Sequence, residues 1–118
     1  MRNFREMTIW SEGIALAAEA YKVARLLPKE EEYGLKSQIR RAAVSIPSNI
    51  AEGCSRSSQK EFKHYLEISL GSAFEVETDF ILAQRLTMIS EKDISSFLEA
   101  IHLLQRRINS LLIKVNRF

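Results

Sequence analysis

Between Phe62 and Ala83 the residues Phe62, Leu66, Ser69, Ala73, Val76, Phe80 and Ala83 are apolar or small and alternate steps of four and three. Only an α-helix gathers residues so spaced onto one face, and an apolar face of that length must be covered by other helices. The periodicity carries on to about Ile89, which at ~1.5 Å per residue is a helix of roughly 45 Å. Ser58 with Glu61 three residues later has the form of a capping box and marks its start.

Three further segments repeat the pattern. Trp10, Ile14, Ala17, Tyr21 and Ala24 define a first helix from Met7 to Leu27, ended by the restriction that Pro28 places on Leu27 and followed by the acidic connection "KEEEY". Leu35, Ile39, Ala42, Ile46, Ile50 and Gly53 define a second. Phe97, Ile101, Leu104, Ile108, Leu111, Val115 and Phe118 define a fourth, with Ser90 as its N-cap and Glu91 and Asp93 placing negative charge against the helix dipole. Four helices with short connections, no strand pattern and no internal repeat predict an all-α fold: an antiparallel up-and-down four-helix bundle, one domain over residues 1–118.

The segment "RRAAVSIPSNIAEG", Arg40 to Gly53, interrupts the second helix with a proline and small polar residues, as a loop carrying a site would. The apolar phase nevertheless runs through Pro47 unchanged, so a single helix kinked at Pro47 is expected, with Ser48, Asn49 and Glu52 serving backbone groups freed by the kink or meeting basic partners on a neighbouring helix. The first helix carries a second stripe, Ile9, Gly13, Leu16, Ala20, Val23 and Leu27, about 100° round from the first. A deep position in the bundle and a subunit interface both account for it.

Composition narrows the class. With 46% hydrophobic and 27% charged residues, four Gly and two Pro, the chain has the balance of a folded, helix-rich protein. Cys54 is the single cysteine, which excludes an internal disulfide framework and a multi-cysteine metal site and fits a reducing, cytoplasmic setting. "MRNFREMTIW" has no apolar run of signal-peptide length and no stretch reaches the ~18 residues of a membrane span, so no membrane partner is expected.

The strongest enzymatic signal is a pair of Glu-x-x-His motifs, Glu61 with His64 and Glu99 with His102, the spacing of di-iron bundles. Neither histidine shares the phase of its helix's apolar stripe, and in an antiparallel pair they stand roughly 20 Å apart in height. They cannot share a metal. Cys54 has no identifiable histidine partner, and there is neither a Gly-rich phosphate loop nor a nucleophile elbow. The expectation is a protein that is not an enzyme and uses no cofactor.

Basic residues are the more informative chemistry. Arg40 and Arg41, then Arg56, Lys60 and Lys63, then Arg106, Arg107, Lys114 and Arg117 form clusters on three helices, and such side chains neutralise backbone phosphates. The competing reading pairs them with Glu52, Glu67, Glu75 and Glu77. The net charge of +2 leaves the decision to distribution.

From "EEYGLKSQIRRAAVSIPSNIAEGCSRSSQKEFKHYLEISLGSAFEVET", and in "IW" and "YKVARLLPKEE" before it, the sequence resembles the 23S rRNA intervening-sequence proteins, small bacterial four-helix bundles to which no enzymatic activity is attributed. The fourth helix resembles the family only in pattern. The related accessory variability determinant proteins of diversity-generating retroelements form pentameric barrels, bind nucleic acid through basic surfaces and associate with a reverse transcriptase. The resemblance therefore implies a ring-shaped homo-oligomer, a pentamer first, that binds RNA or DNA. The alternative is a protein-interaction scaffold or accessory subunit for a partner such as a reverse transcriptase or ribosome-associated factor. Those relatives are strongly basic, whereas this chain is only +2. Arg40, Arg41 and Arg56 are the matching basic positions.

Overall fold

A computed structural model describes residues 2–116. Its helices are α1 (Thr8–Ala24), α2 (Leu35–Cys54), α3 (Gln59–Arg85) and α4 (Glu91–Val115), with single 3-10 turns at Phe4–Glu6 and Lys29–Glu31 and no strand among the described residues. Each helix packs on its sequence neighbours, and α1 closes the square against α4, giving the up-and-down bundle that the short connections predict. The molecule measures 45 × 23 × 20 Å.

The stripes of α2 and α3 are buried along their whole length, and Phe80 meets Phe97 of α4 edge-on at 4.9 Å between ring centres. On α4 the buried row is Ile94, Phe97, Ile101, Leu104, Ile108, Leu112 and Val115. Leu111 of the expected stripe is only partly covered, while Leu112 beside it is buried. Phe118 lies outside the described residues.

In α1 the core face is centred on the second stripe and takes in Ala17 and Ala24 of the first. The second, Ile9, Gly13, Leu16, Ala20, Val23 and Leu27, is the core face, whereas Ile14 and Tyr21 of the first are 47% and 39% exposed. Gly13 fits this choice, because a Cβ there would lie 3.3 Å from the Cβ of Pro47, so α2 packs tightly on α1 at a position with no side chain. The deep-position reading of that stripe is correct, and the apolar side chains left exposed on α1 are Ile14 and Tyr21.

Pro47 sits buried inside a continuous α2, with no loop around it. The carbonyl that a proline here leaves without its usual donor belongs to Ala43, and neither Ser48, Asn49 nor Glu52 serves it. Asn49 instead donates to the Ser45 carbonyl and hydroxyl at 2.8 Å each, the Ser45 hydroxyl meets Ser72 Oγ of α3 at 2.8 Å, and the buried Ser69 hydroxyl donates to the Ile46 carbonyl at 2.8 Å. Small residues and hydroxyl bridges thus stitch α2 to α3.

Both predicted N-caps form. Ser58 Oγ accepts from the Glu61 amide and Ser90 Oγ from the Asp93 amide, each at 3.1 Å. The third helix ends at Arg85 rather than near Ile89. The Met88 amide donates to the Ala83 carbonyl at 2.9 Å and the Thr87 amide to that of Gln84 at 3.0 Å, a Schellman ending. Thr87 takes the left-handed position, φ 59°, normally given to glycine, so no residue signals the stop.

Candidate nucleic-acid interface

Three of the seven arginines and lysines expected to meet phosphate are already engaged with carboxylates. Arg40 donates to the Glu32 carboxylate at 2.7 Å and to its carbonyl at 3.1 Å, tying α2 to the preceding turn. That bond, the largest influence, holds the Glu32 carboxyl below the usual glutamate range. Arg56 bonds Glu52 at 2.5 Å and the Tyr65 hydroxyl at 3.0 Å, and its pKa is raised, first by the Glu52 hydrogen bond. Arg107 of α4 bonds Glu12 of α1 across the bundle.

Arg41, Lys60, Lys63 and Arg106 enter no ion pair among the described residues. Arg41, Lys60 and Arg106 are exposed and Lys63 is half-buried. The antiparallel fold divides them. The N-terminal ends of α1 and α3 and the C-terminal ends of α2 and α4 share one half of the molecule, which holds Lys60, Lys63 and Arg106. Arg40 and Arg41 stand in the opposite half, about 20 Å in height from Lys63, with Arg41 beside Ser72 and Glu75 in a shallow depression nearer the level of Arg106. The seven positions do not form one surface.

The division is also one of charge. In the first half eight basic residues (Arg2, Arg5, Arg56, Lys60, Lys63, Arg106, Arg107, Lys114) face five acidic ones (Glu6, Glu12, Glu52, Glu61, Glu67). In the other half eight basic residues (Lys22, Arg25, Lys29, Lys36, Arg40, Arg41, Arg85, Lys92) face ten acidic ones (Glu19, Glu30, Glu31, Glu32, Glu75, Glu77, Asp79, Glu91, Asp93, Glu99). Arg117, which completes the total of +2, lies outside the described residues. A modest net charge thus conceals a molecule that is basic at one end and acidic at the other.

Between α3 and α4 in the basic half runs an open groove of about 370 Å³, lined by Lys63, Glu67, Leu70, Gly71, Phe74, Asn109, Leu112, Ile113 and Asn116. Phe74 is 50% exposed, and Gly71 meets nothing within 4 Å of where a Cβ would stand. Sequence reasoning passed over Phe74, Asn109 and Asn116. Their signal was spacing, since Lys63, Gly71 and Phe74 follow one helical row and Arg106, Asn109, Ile113 and Asn116 another.

The other chemistry resolves as structure. His102 Nε2 pairs with Glu77 Oε2 across α3 and α4 at 2.9 Å, and Gln105 donates to Glu77 Oε1 at 2.8 Å. Burial alone would raise the Glu77 carboxyl, but hydrogen bonds from Gln105 and His102 outweigh it and hold the carboxyl below its ordinary value. His102 is therefore a bridge between α3 and α4. His64 is exposed against Tyr65, and no cluster of three metal-binding side chains occurs among the described residues. Cys54 is buried with its thiol 3.2 Å from Met7 Sδ. Burial pushes its pKa up, against a smaller opposing effect of Arg2, which is the reverse of a reactive thiolate. No described helix is long and apolar enough to cross a membrane.

Fold and surface together define a small antiparallel helical bundle with few acidic residues in one half and an excess of them in the other. The family model of the 23S rRNA-intervening sequence protein matches residues 5–110, and the chain belongs to that family. The fold recurs in the crystal structure of a protein of unknown function from the S23 ribosomal protein family of Bacteroides thetaiotaomicron VPI-5482. That likeness has a TM-score of 0.82 and 23% identity, and it covers 89% of this chain and 98% of that one. Among curated proteins no sequence matches the chain.

Proposed function

We propose that the chain is a non-enzymatic, cytoplasmic protein that assembles with copies of itself and binds nucleic acid, RNA in preference, through its basic half. The observation that carries this reading is the trio Lys60, Lys63 and Arg106, cations without ion-pair partners among the described residues, on neighbouring helices of the half where basic residues outnumber acidic ones. Free cations release counterions from phosphate, whereas Arg40, Arg56 and Arg107 would first have to give up a carboxylate. Arg41 is free of an ion pair but shares its depression with Glu75, and its contribution is correspondingly smaller. Exposed Ile14, Tyr21, Leu82 and Leu86 support self-assembly, for which the family resemblance favours a pentamer.

Titrating labelled RNA and DNA with the protein over a range of salt tests the reading. Binding should weaken linearly in log–log form as salt rises, with a slope that falls by about 0.7–0.9 for each cation neutralised among Lys60, Lys63 and Arg106. Substituting Arg40 should leave the slope nearly unchanged. Absence of binding at low salt, or indifference to Lys60→Glu, Lys63→Glu and Arg106→Glu together, would contradict it. The same exposed apolar side chains favour a second reading, a scaffold for a protein partner. A pull-down that retains a discrete protein after nuclease treatment would favour that scaffold.

A further inference from the structure

We infer that the groove between α3 and α4 seats an unpaired nucleic-acid strand, with Phe74 as a stacking surface for a base and Lys63 and Arg106 as phosphate contacts at its two ends. The inference rests on the nucleic-acid reading above and narrows it to a site and a class of ligand. The bonds from His102 and Gln105 to Glu77 fix the register of the two helices. Counted from those bonds, Phe74 stands about level with Arg106, just beyond the groove lining, and at the other end Lys63 and Asn116 line the groove together. The eleven helical steps from Lys63 to Phe74 span about 16 Å, room for a few nucleotides rather than one small molecule.

The lining has the character that single-strand binding requires. Phe74 is half-exposed at 50%, with Leu70 and Ile113 beside it and open space over Gly71, so a ring can be laid on it without displacing a side chain. Every base offers a π-face, and stacking on an aromatic ring tolerates any sequence. Asn109 and Asn116 bring amides that donate and accept, matching base edges that are free only when unpaired. Glu67 lines the groove between Lys63 and Phe74, where a base rather than a phosphate would rest, and can accept from an exocyclic amine. A duplex keeps its base faces buried and could use only the end charges. A second copy of this chain is the competing occupant, but the centre of a subunit interface is depleted of Lys and Glu, and this groove contains both.

The experiment uses the full chain with a fluorescein-labelled oligouridylate of about 12 nucleotides, its deoxythymidine counterpart and duplex RNA of equal length. Wild type is compared with Phe74→Leu, which stays apolar but loses the ring, and Phe74→Trp, which keeps an aromatic surface. Phe74→Leu should weaken single-strand binding about tenfold with the salt slope unchanged, Phe74→Trp should retain it, and duplex binding should be weaker and insensitive to both. The RNA and DNA arms show whether the 2′-hydroxyl contributes. If wild type binds RNA while Phe74→Leu binds single strands equally well, this site is overturned and the broader reading stands. A changed oligomer size for Phe74→Leu by light scattering also overturns it, by assigning the groove to a subunit contact. If wild type binds no nucleic acid even at low salt, both readings fall.

Discussion

Asp79 lies on the core side of α3, 7% exposed, with its Oδ2 lacking any hydrogen-bond partner. Burial, reinforced by the charge of Glu75 one turn away, pushes its pKa from 3.8 to about 6. Between those values the native state holds a proton that the unfolded chain has released, so stability falls as pH rises through the window. Asp79→Asn keeps the shape and removes the charge. Urea denaturation should find the variant about 1–2 kcal/mol more stable than wild type near pH 8, the gain disappearing by about pH 4. Equal stability near pH 8 would mean that the carboxylate is satisfied in solution. Nothing in the sequence distinguishes this acid from solvated neighbours such as Glu75, because burial at the edge of a helical stripe depends on how closely the next helix approaches.

At the level of helices, two glycines at similar-looking positions are expected to respond in opposite directions. A Cβ on Gly53 would stand 2.9 Å from that of Tyr65, closer than real Cβ atoms come, so Gly53→Ala must push the end of α2 away from α3. It should cost about 1–3 kcal/mol by thermal or chemical unfolding. Gly71, exposed in the middle of α3 with nothing within 4 Å, should gain up to about 1 kcal/mol as alanine from helix propensity alone. Most of this architecture was legible beforehand. The stripes of α2 and α3 and the caps at Ser58 and Ser90 follow from spacing and local hydrogen bonding, which the sequence carries directly. Spacing could not choose between the two stripes of α1, since both have helical period. Packing across the bundle, tight where Gly13 meets Pro47, made that choice. Nor could it place the end of α3, where a threonine occupies a position whose usual marker is glycine.

Across the whole molecule, antiparallel packing turns an unremarkable +2 into a dipole, because basic residues divide evenly between the halves while acidic ones fall mostly in one. Five of the seven basic residues singled out from sequence are in the acid-poor half. Arg40 and Arg41 are not, because their place early in α2 puts them at the acidic end. Which cations are free was illegible, since pairing partners such as Glu12 for Arg107 come from a distant helix. That selection among cations is the centre of the functional account, and mapping backbone amide resonances of the labelled protein during titration with single-stranded RNA tests it most directly. Shifts should concentrate in residues 60–74 of α3 and 106–116 of α4 and fade as salt is added, leaving the surroundings of Arg40 unmoved. No shifts at low salt, or shifts centred on the acidic half around Arg40 and Arg41, would contradict the account.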